Sequence, residues 1–284
     1  MNSSAARFDP TRHPDGTFNY EVSPFGEQPR VSLAAIAAAV YAILFAIHLI
    51  QGIRYKTLYM AAAIAGAFFE AVGYFCRIVS INDPFNIPMY SAQYSFIVVS
   101  PVLVAATQYV MLEKVMHHSY PEASPVKHTL ITKTFVISDV IAFFVQVAGS
   151  SILLSDRTKT DLGLRIMMAG LVVQVISFAV YLGIAVIFYK RAKILAQGGK
   201  AALVDRQAWR TIFMTLMASG MMVFLRSVFR IIEFSYGFRG FIATNEVYMY
   251  VFDFGLMMLA LVAFNVNHPG AFLRASHEFD AELK

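Results

Sequence analysis

The sequence has few charged residues and a single cysteine. Only 14% of its 284 residues are Asp, Glu, Lys or Arg, whereas 58% are hydrophobic. An average soluble domain carries about 25% charged residues. This composition excludes an ordinary soluble domain and indicates a membrane protein. The net charge of +5 is small and lies in short loops, so we expect no nucleic-acid partner.

Several catalytic and metal-binding patterns are also absent. Cys76 has no second cysteine with which to form an intramolecular disulfide or a dithiol redox pair. There is no His-Glu-x-x-His pattern, and His48 stands alone in an apolar stretch, where a packed or hydrogen-bonded histidine is commoner than a ligand. A Gly-x-Ser-x-Gly elbow and a Gly-x-x-x-x-Gly-Lys phosphate loop are missing as well. We therefore expect no cofactor, no metal and no enzymatic activity.

Seven apolar stretches are each long enough to cross a bilayer as a helix, which takes about 20 residues. They are Val31 to Ile50, Leu58 to Val79, Tyr90 to Leu112, Leu130 to Leu154, Leu164 to Tyr189, Thr211 to Ile232 and Val247 to Val266. The intervening loops are short, so consecutive helices should be antiparallel neighbours. The sequence predicts an all-α fold: a polytopic seven-helix transmembrane bundle over residues 31–266, with tails over residues 1–30 and 267–284.

The basic residues of the loops predict the orientation of the bundle, because Lys and Arg accumulate on the cytoplasmic side. The loops after the odd-numbered helices and the C-terminal tail hold 12: Arg54, Lys56, Lys114, Lys127, Lys190, Arg191, Lys193, Lys200, Arg206, Arg210, Arg274 and Lys284. The opposite side holds 6: Arg7, Arg12, Arg30, Arg157, Lys159 and Arg239. We therefore expect an extracellular N-terminal tail and a cytoplasmic C-terminal tail. The glycosylation pattern Asn2-Ser3-Ser4 agrees with this orientation.

One loop segment is predicted to lie at the membrane surface. The stretch from Lys190 to Arg210 combines basic residues with Trp209 and apolar side chains, a pattern typical of an amphipathic segment at a membrane surface. We expect it to contact anionic lipid of the inner leaflet.

Eight ionisable residues lie within the predicted spans or at their ends, where a charge near the bilayer centre costs at least about 2.5–3.5 kcal/mol. They are Glu70, Arg77, Asp139, Arg226, Arg230, Glu233, Glu246 and Asp253. Those that share a helix are three, four or seven residues apart and so lie on one face. Gln146, seven residues after Asp139, and Gln174, one turn beyond Gly170, continue the pattern. We expect one polar stripe per helix, directed at the bundle axis.

Five of these eight residues are acids and three are arginines, so at least one acid must be hydrated, protonated or reserved for a ligand. Four of the eight lie near helix ends and either extend to an interfacial belt of salt bridges or line the interior: Arg226, Arg230, Glu233 and Glu246. The three acids nearer mid-span, Glu70, Asp139 and Asp253, either bind a ligand or proton or belong to a structural hydrogen-bond network. We expect Arg226 and Arg230 to pair with Glu70 and Asp253. Asp139 is then the acid left for a ligand.

The motifs that carry chemistry occur in a definite order along the seven spans. In chain order they are Glu70-x-x-Gly73-x-x-x-Arg77, Pro101 with Tyr109, Asp139 with Gln146-x-x-Gly149, Gly170-x-x-x-Gln174, Arg226-x-x-x-Arg230-x-x-Glu233, Gly237 with Gly240 and Glu246, Asp253, and His268-Pro269-Gly270. This series resembles the fungal lipid-translocating exporter family, the RTA-like proteins named for resistance to aminocholesterol. The resemblance covers nearly the whole chain.

The resemblance implies a fungal plasma-membrane protein that binds or translocates sphingoid long-chain bases or phospholipids and contributes to resistance to toxic amphiphiles. Its ligand would be a membrane lipid or another amphiphile. The mid-span acids Glu70, Asp139 and Asp253 would then be candidate counter-charges for a cationic head group.

Two other functions remain open: a seven-helix sensor or receptor for a lipid or sterol without transport, and an intramembrane lipid-modifying enzyme. An ordinary G-protein-coupled receptor is disfavoured, because the third span ends in Leu112-Glu113-Lys114 and lacks a DRY-like triplet. The seventh span contains no lysine for a Schiff base, which excludes a retinal protein.

Overall fold

The computed structural model describes residues 9–13, 15–155, 157–198, 206–237 and 240–270. Within these ranges seven helices are long and apolar enough to cross a membrane, and there is no β-strand. The chain is therefore an integral membrane protein with the predicted all-α fold. The glycosylation pattern Asn2-Ser3-Ser4, Lys200, Arg239 and the tail beyond residue 270 lie outside the described residues.

The helices are longer at most ends than the apolar stretches that predict them. They are α1 (Val31–Tyr55), α2 (Ala61–Asn82), α3 (Ile87–His118), α4 (His128–Ser155), α5 (Thr160–Gln197), α6 (Arg206–Ser235) and α7 (Glu246–Val266). A 3₁₀ turn, Leu58–Met60, precedes α2. The 38 residues of α5 span about 57 Å, nearly twice the hydrocarbon thickness of about 30 Å. This helix therefore extends well beyond the membrane.

Consecutive helices pack against each other, and α7 returns to contact α1 as well as α6. The described part of the N-terminal segment meets the same end of the bundle as the α2–α3 loop: the Tyr20 hydroxyl donates to the carbonyl of Ile81 at 2.9 Å. The ring of Phe25 packs edge-on against Tyr90, with centroids 5.2 Å apart. We call this end, where α2, α4 and α6 finish, the N-terminal end.

The predicted amphipathic segment, Lys190 to Arg210, is described only in part, since residues 199–205 lie outside the described ranges, and its contact with anionic lipid stays a prediction. Residues 190–197 continue α5 as a regular helix. Trp209 is only 2% exposed and packs against Tyr120, Phe188 and Phe213 in the interior. Its ring is thus part of the core at this end of the bundle and not an anchor at a membrane surface.

The outer half of α7 departs from α-helical geometry. Residues Met249–Gly255 form a π-helix, and Asp253 is the buried residue within it. Such wide turns are rare and occur frequently at functional sites. The regular α-helix resumes at Leu256.

Helices α4 and α5 approach each other at backbone distance because glycines face the contact. A Cβ atom on Gly149 would lie 2.4 Å from the backbone nitrogen of Met167, and one on Gly163 would lie 2.6 Å from that of Leu153. Small residues at such positions let membrane helices pack closely. The pair α4–α5 is therefore a tight unit of the bundle.

We expect Gly149→Ala to lower stability, because the new methyl group has to push two backbones apart, at a cost of about 1–3 kcal/mol. The matched control is Gly183→Ala in α5, where a Cβ meets nothing within 4 Å. Thermal unfolding of the purified variants in detergent measures the difference. Equal transition temperatures for the two variants would contradict the close packing.

Candidate functional site

Two arginines of α6 share one aspartate of α7 in the bundle interior. The Arg226 Nε lies 2.5 Å from one carboxylate oxygen of Asp253, and the Arg230 Nη2 donates a hydrogen bond to the other. The Arg230 Nη1 also donates to Glu233 at 2.9 Å. All four side chains are buried, with Asp253 only 1% exposed. We call Glu233, Arg230, Asp253 and Arg226 the charge ladder, because opposite charges alternate from Glu233 inward to Arg226.

Local helix geometry places these groups together. Offsets of four and three residues put the three charged groups of α6 on one face of the helix. The π-helical turn of α7 brings Asp253 opposite them. The Arg226 Nη2 donates at 3.0 Å to the carbonyl oxygen of Ile97, so the charge ladder also ties α6 to α3.

A second ion pair lies nearer the N-terminal end. The Arg77 Nη2 of α2 donates to Glu246 at 2.7 Å, and the other oxygen of Glu246 accepts the backbone N–H of Arg30 at 2.9 Å. The Arg77 guanidinium also lies 5.3 Å from the ring centroid of Phe25. Hence this pair fastens the N-terminal segment to α2 and α7.

The two interpretations of the helix-end charges can now be separated. Arg226, Arg230 and Glu233 are between 4% and 7% exposed and lie inside the bundle, so they do not snorkel to an interfacial belt. Glu246, with a side chain 17% exposed, lies at the rim.

A cavity of about 70 Å³ lies between the N-terminal segment and helices α2, α3, α6 and α7. We call it the vestibule. Its polar lining includes Arg77, Gln93, Arg230, Glu233 and Glu246. A polar cavity of this size can hold more than one water molecule. The outer part of the charge ladder is therefore accessible to water once the vestibule fills.

A narrower cavity of about 20 Å³ lies between helices α3, α4, α5 and α6, and we call it the lateral cleft. Its lining combines the polar side chains of Gln146, Gln174, Arg226 and Arg230 with the apolar side chains of Val98, Phe143, Val147 and Leu171. Gln146 donates to Gln174 at 2.9 Å. The lining residue Ser95 is exposed, about 12 Å along α3 from its start. The lateral cleft therefore reaches the surface of the bundle at Ser95.

Glu70 lies outside the ion pairs. It is 1% exposed, and none of the ion pairs among the described residues includes it. The Ser100 hydroxyl lies beside the carboxyl, and Arg226 and Asp253 act on it electrostatically. Its Oε1 atom has no hydrogen-bond partner. The expected ion pair between Glu70 and an α6 arginine is therefore wrong in this arrangement, because Asp253 takes both arginines.

Asp139 is also buried without a basic partner among the described residues, but its surroundings differ. The Tyr109 hydroxyl donates to one carboxylate oxygen at 2.6 Å, while the other has no partner. The rings of Phe135, Phe178 and Tyr181 pack around Tyr109. Asp139 lines neither the vestibule nor the lateral cleft. That a ligand uses this acid stays a prediction.

The structure thus groups the ten predicted site residues into four sets. The charge ladder joins Arg226, Arg230, Glu233 and Asp253; Arg77 pairs with Glu246; Gln146 pairs with Gln174; and Glu70 and Asp139 stand apart. Sequence reasoning missed the vestibule wall formed by Gln93 and the N-terminal segment. The spacing of Tyr90, Gln93, Tyr94 and Ile97, which puts them on one face of α3, is the signal that could have indicated it.

The lone histidine is packed, as expected. His48 is 1% exposed, and neither ring nitrogen has a hydrogen-bond partner. His268, beyond the end of α7, stacks on Tyr55 with centroids 4.8 Å apart, and burial lowers the pKa of this imidazole. Among the described residues there is no group of three His, Cys, Asp or Glu side chains that could hold a metal ion.

With the geometry established, comparison with known proteins decides the family. Residues 63–276 match the family model described as RTA1 like protein. The chain belongs to this family. No solved structure matches it significantly.

Relatives in this family come from fungi. The chain is 35% identical over 206 residues to protoporphyrin uptake protein 1 of Saccharomyces cerevisiae, covering 71% of this chain and 66% of that protein, slightly less than two thirds of its length. It is 22% identical to the sphingoid long-chain base transporter RSB1 of the same species, covering 86% and 73%. The probable lipid transporter atnI of Emericella nidulans is 24% identical, covering 84% and 67%. These relatives are named for transport or uptake.

Replacing Arg230 of the charge ladder should destabilise this RTA1-like chain, and neutralising its partner Glu233 should restore part of the stability. Arg230→Leu leaves Glu233 as an unpaired buried charge, while Asp253 keeps Arg226. Breaking a buried pair costs about 3–5 kcal/mol, whereas neutralising both partners can be nearly neutral. We therefore expect Arg230→Leu to lower the monodisperse yield and a further Glu233→Gln change to restore part of it.

Glu246→Gln is the control for that rescue, because Glu246 pairs with Arg77 and not with Arg230. Size-exclusion chromatography of the purified proteins gives the yields. Equal rescue by both acid changes, or by neither, would show that the ion pairs are not arranged as described.

Proposed function

We propose that the protein binds amphiphilic lipids, sphingoid long-chain bases or phospholipids, and moves them across the membrane. It would act in the plasma membrane and contribute to resistance to toxic amphiphiles. The family and the relatives named as a sphingoid long-chain base transporter and a probable lipid transporter support this proposal. The same names support a function that is not enzymatic.

The lateral cleft is the observation that carries the proposal. An amphiphile needs a site with a polar end for its head group and an apolar wall for its chain, open to the membrane from which it arrives. The lateral cleft combines the amides of Gln146 and Gln174 with the apolar side chains of Val147 and Leu171. Its lining residue Ser95 is exposed at the surface of the bundle, which gives a lipid a point of entry in this proposal.

Head-group binding at one of the three mid-span acids would require the helices to move. Asp253 is already engaged by two arginines, and Glu70 and Asp139 line neither the lateral cleft nor the vestibule. The amides and arginines of the lateral cleft are therefore the first groups that an entering head group would meet.

A lipid sensor without transport is the second candidate function. The volume of the lateral cleft, about 20 Å³, favours it, because such a cavity holds about one water molecule and not a whole head group. A transporter has to open this space in another conformation, whereas a sensor needs to seat only part of its ligand.

Filling the lateral cleft should impair lipid binding and flux. Val147→Trp adds a large ring to the lining of the lateral cleft. If a ligand has to overpack against this ring at a cost of about 1–3 kcal/mol, its binding should weaken at least about fivefold. Val140→Trp, on the exposed surface of the same helix, is the control. Movement of nitrobenzoxadiazole (NBD)-labelled phosphatidylcholine and an NBD-labelled long-chain base in proteoliposomes measures flux, and fluorescence titration in detergent measures binding.

Binding without flux in the wild-type protein would favour the sensor. Wild-type behaviour of Val147→Trp in both assays would remove the lateral cleft from the proposal.

We further propose that the N-terminal tail over residues 1–30 is extracellular, that residues 31–266 form the membrane domain, and that residues 267–284 are cytoplasmic. The basic residues Lys190, Arg191 and Lys193 then extend α5 into the cytoplasm beside anionic inner-leaflet lipid. In intact cells, a tag at residue 2 should be accessible to antibody and one at residue 200 protected. The reverse pattern would invert the topology.

A further inference from the structure

Charge balance leaves two buried carboxyl groups without an arginine among the described residues, Glu70 and Asp139, and of these Glu70 is the one beside the charge ladder. The charge ladder contains two arginines and two carboxylates, and Arg77 with Glu246 forms a separate neutral pair. Glu70 lies beside the charge ladder as an additional acid. Its ionisation would leave one uncompensated negative charge in a low-dielectric interior, which costs several kcal/mol. The group formed by the charge ladder and Glu70 is neutral when Glu70 is protonated.

Groups from five helices face this carboxyl. They are Tyr41 of α1, Tyr74 of α2, Ser100 of α3, Arg226 and Arg230 of α6, and Asp253 of α7. The Tyr74 hydroxyl and the Glu70 Oε1 atom are buried and have no hydrogen-bond partner. Buried polar atoms are almost always hydrogen-bonded, so such a cluster needs an explanation. A carboxyl that gains and loses a proton, with hydroxyls able to donate or accept, provides one.

The space around Glu70 suits a proton better than a larger cation. Glu70 lines neither the vestibule nor the lateral cleft, and no described cluster of ligands could hold a metal ion. A proton needs no cavity. We propose that Glu70 is a proton-binding site that couples lipid movement to a proton gradient through Arg226. This inference rests on the proposed function.

Arg226 is the link because it acts electrostatically on Glu70 and also lines the lateral cleft. Its Nε pairs with Asp253, its Nη2 holds the Ile97 carbonyl of α3, and its side chain lines the lateral cleft. When the Glu70 O–H bond breaks, the proton passes to the Tyr74 hydroxyl, which releases its own proton toward the vestibule, and the new carboxylate competes with Asp253 for Arg226. Asp253 keeps Arg230 as its partner. Withdrawal of Arg226 toward Glu70 changes the polar wall that a lipid head group meets.

The vestibule gives the proton a route. The hydroxyls of Tyr74 and Tyr250 connect Glu70 with Glu246, which lines the vestibule, and each hydroxyl can accept one proton as it releases another. Glu70 lies 12 residues from the end of α2, about 18 Å inside the bundle. The π-helical turn around Asp253 lies on this route, where a change of partner is needed.

The test uses the full-length protein, Glu70→Gln as a mimic of the protonated acid, and Glu113→Gln as the matched control. Glu113 is a carboxylate of α3 that accepts a hydrogen bond from Thr132 and does not act on Glu70. Proteoliposomes carry NBD-labelled phosphatidylcholine or an NBD-labelled long-chain base. Because phosphatidylcholine does not itself titrate near neutral pH, its response reports the protein.

A pH gradient should change the net flux of the wild-type protein and of Glu113→Gln at least about fivefold, a typical coupling between two sites. Glu70→Gln should fold, move the probe at symmetric pH and show no response to the gradient. Flux that ignores the gradient in the wild-type protein, a retained response in Glu70→Gln, or a response to a sodium gradient instead would overturn the coupling. Misfolding of Glu70→Gln would also contradict the proposal, because the neutral amide resembles the protonated acid.

A second experiment tests the proton site even if the protein does not transport lipid. If the wild-type protein moves neither probe, a potentiometric difference titration in detergent between wild type and Glu70→Gln still examines the proton site. The wild-type protein should bind one more proton across a range of about pH 5 to 9, where buried carboxyl groups titrate. No difference between the two curves would exclude Glu70 as the site.

Discussion

Two arginines of α6 form ion pairs with a single aspartate of α7 in the buried interior. The rest of the interior is arranged around these two ion pairs. Each guanidinium would be costly in an apolar bundle without a partner. By engaging both, Asp253 fixes the rotation of α6 relative to α7, and the bond from Arg226 to the Ile97 carbonyl fixes α3 against them. The π-helical turn of α7 is part of the same arrangement.

Because Asp253 pairs with both arginines, the other acids have different partners. Glu246 has Arg77 and a backbone N–H, and Asp139 has the Tyr109 hydroxyl within a group of aromatic rings. Glu70 is surrounded by charges that already have partners. Of the buried acids near mid-span, it is therefore the one whose charge depends most directly on the state of its neighbours.

Packing density divides the bundle into a tight part and a looser part. Glycines let the α4 and α5 backbones approach closely near Gly149 and Gly163, whereas the lateral cleft lies where α3, α4, α5 and α6 meet. Arg230 lines this cleft and also the vestibule. A movement of α6 that changes the partners of its arginines would alter both cavities together.

The sequence by itself determined the class of protein, the seven helices and the face of each that carries polar groups, because hydropathy and helical period are properties of a single segment. Its surplus of acids also required that some acid lack an arginine. Only the tertiary structure decided that Asp253 takes both arginines, that Arg77 pairs with Glu246, that Glu70 is left over and that Trp209 lies in the core. These outcomes depend on the depth and rotation of helices relative to one another, which no single helix records in its own sequence.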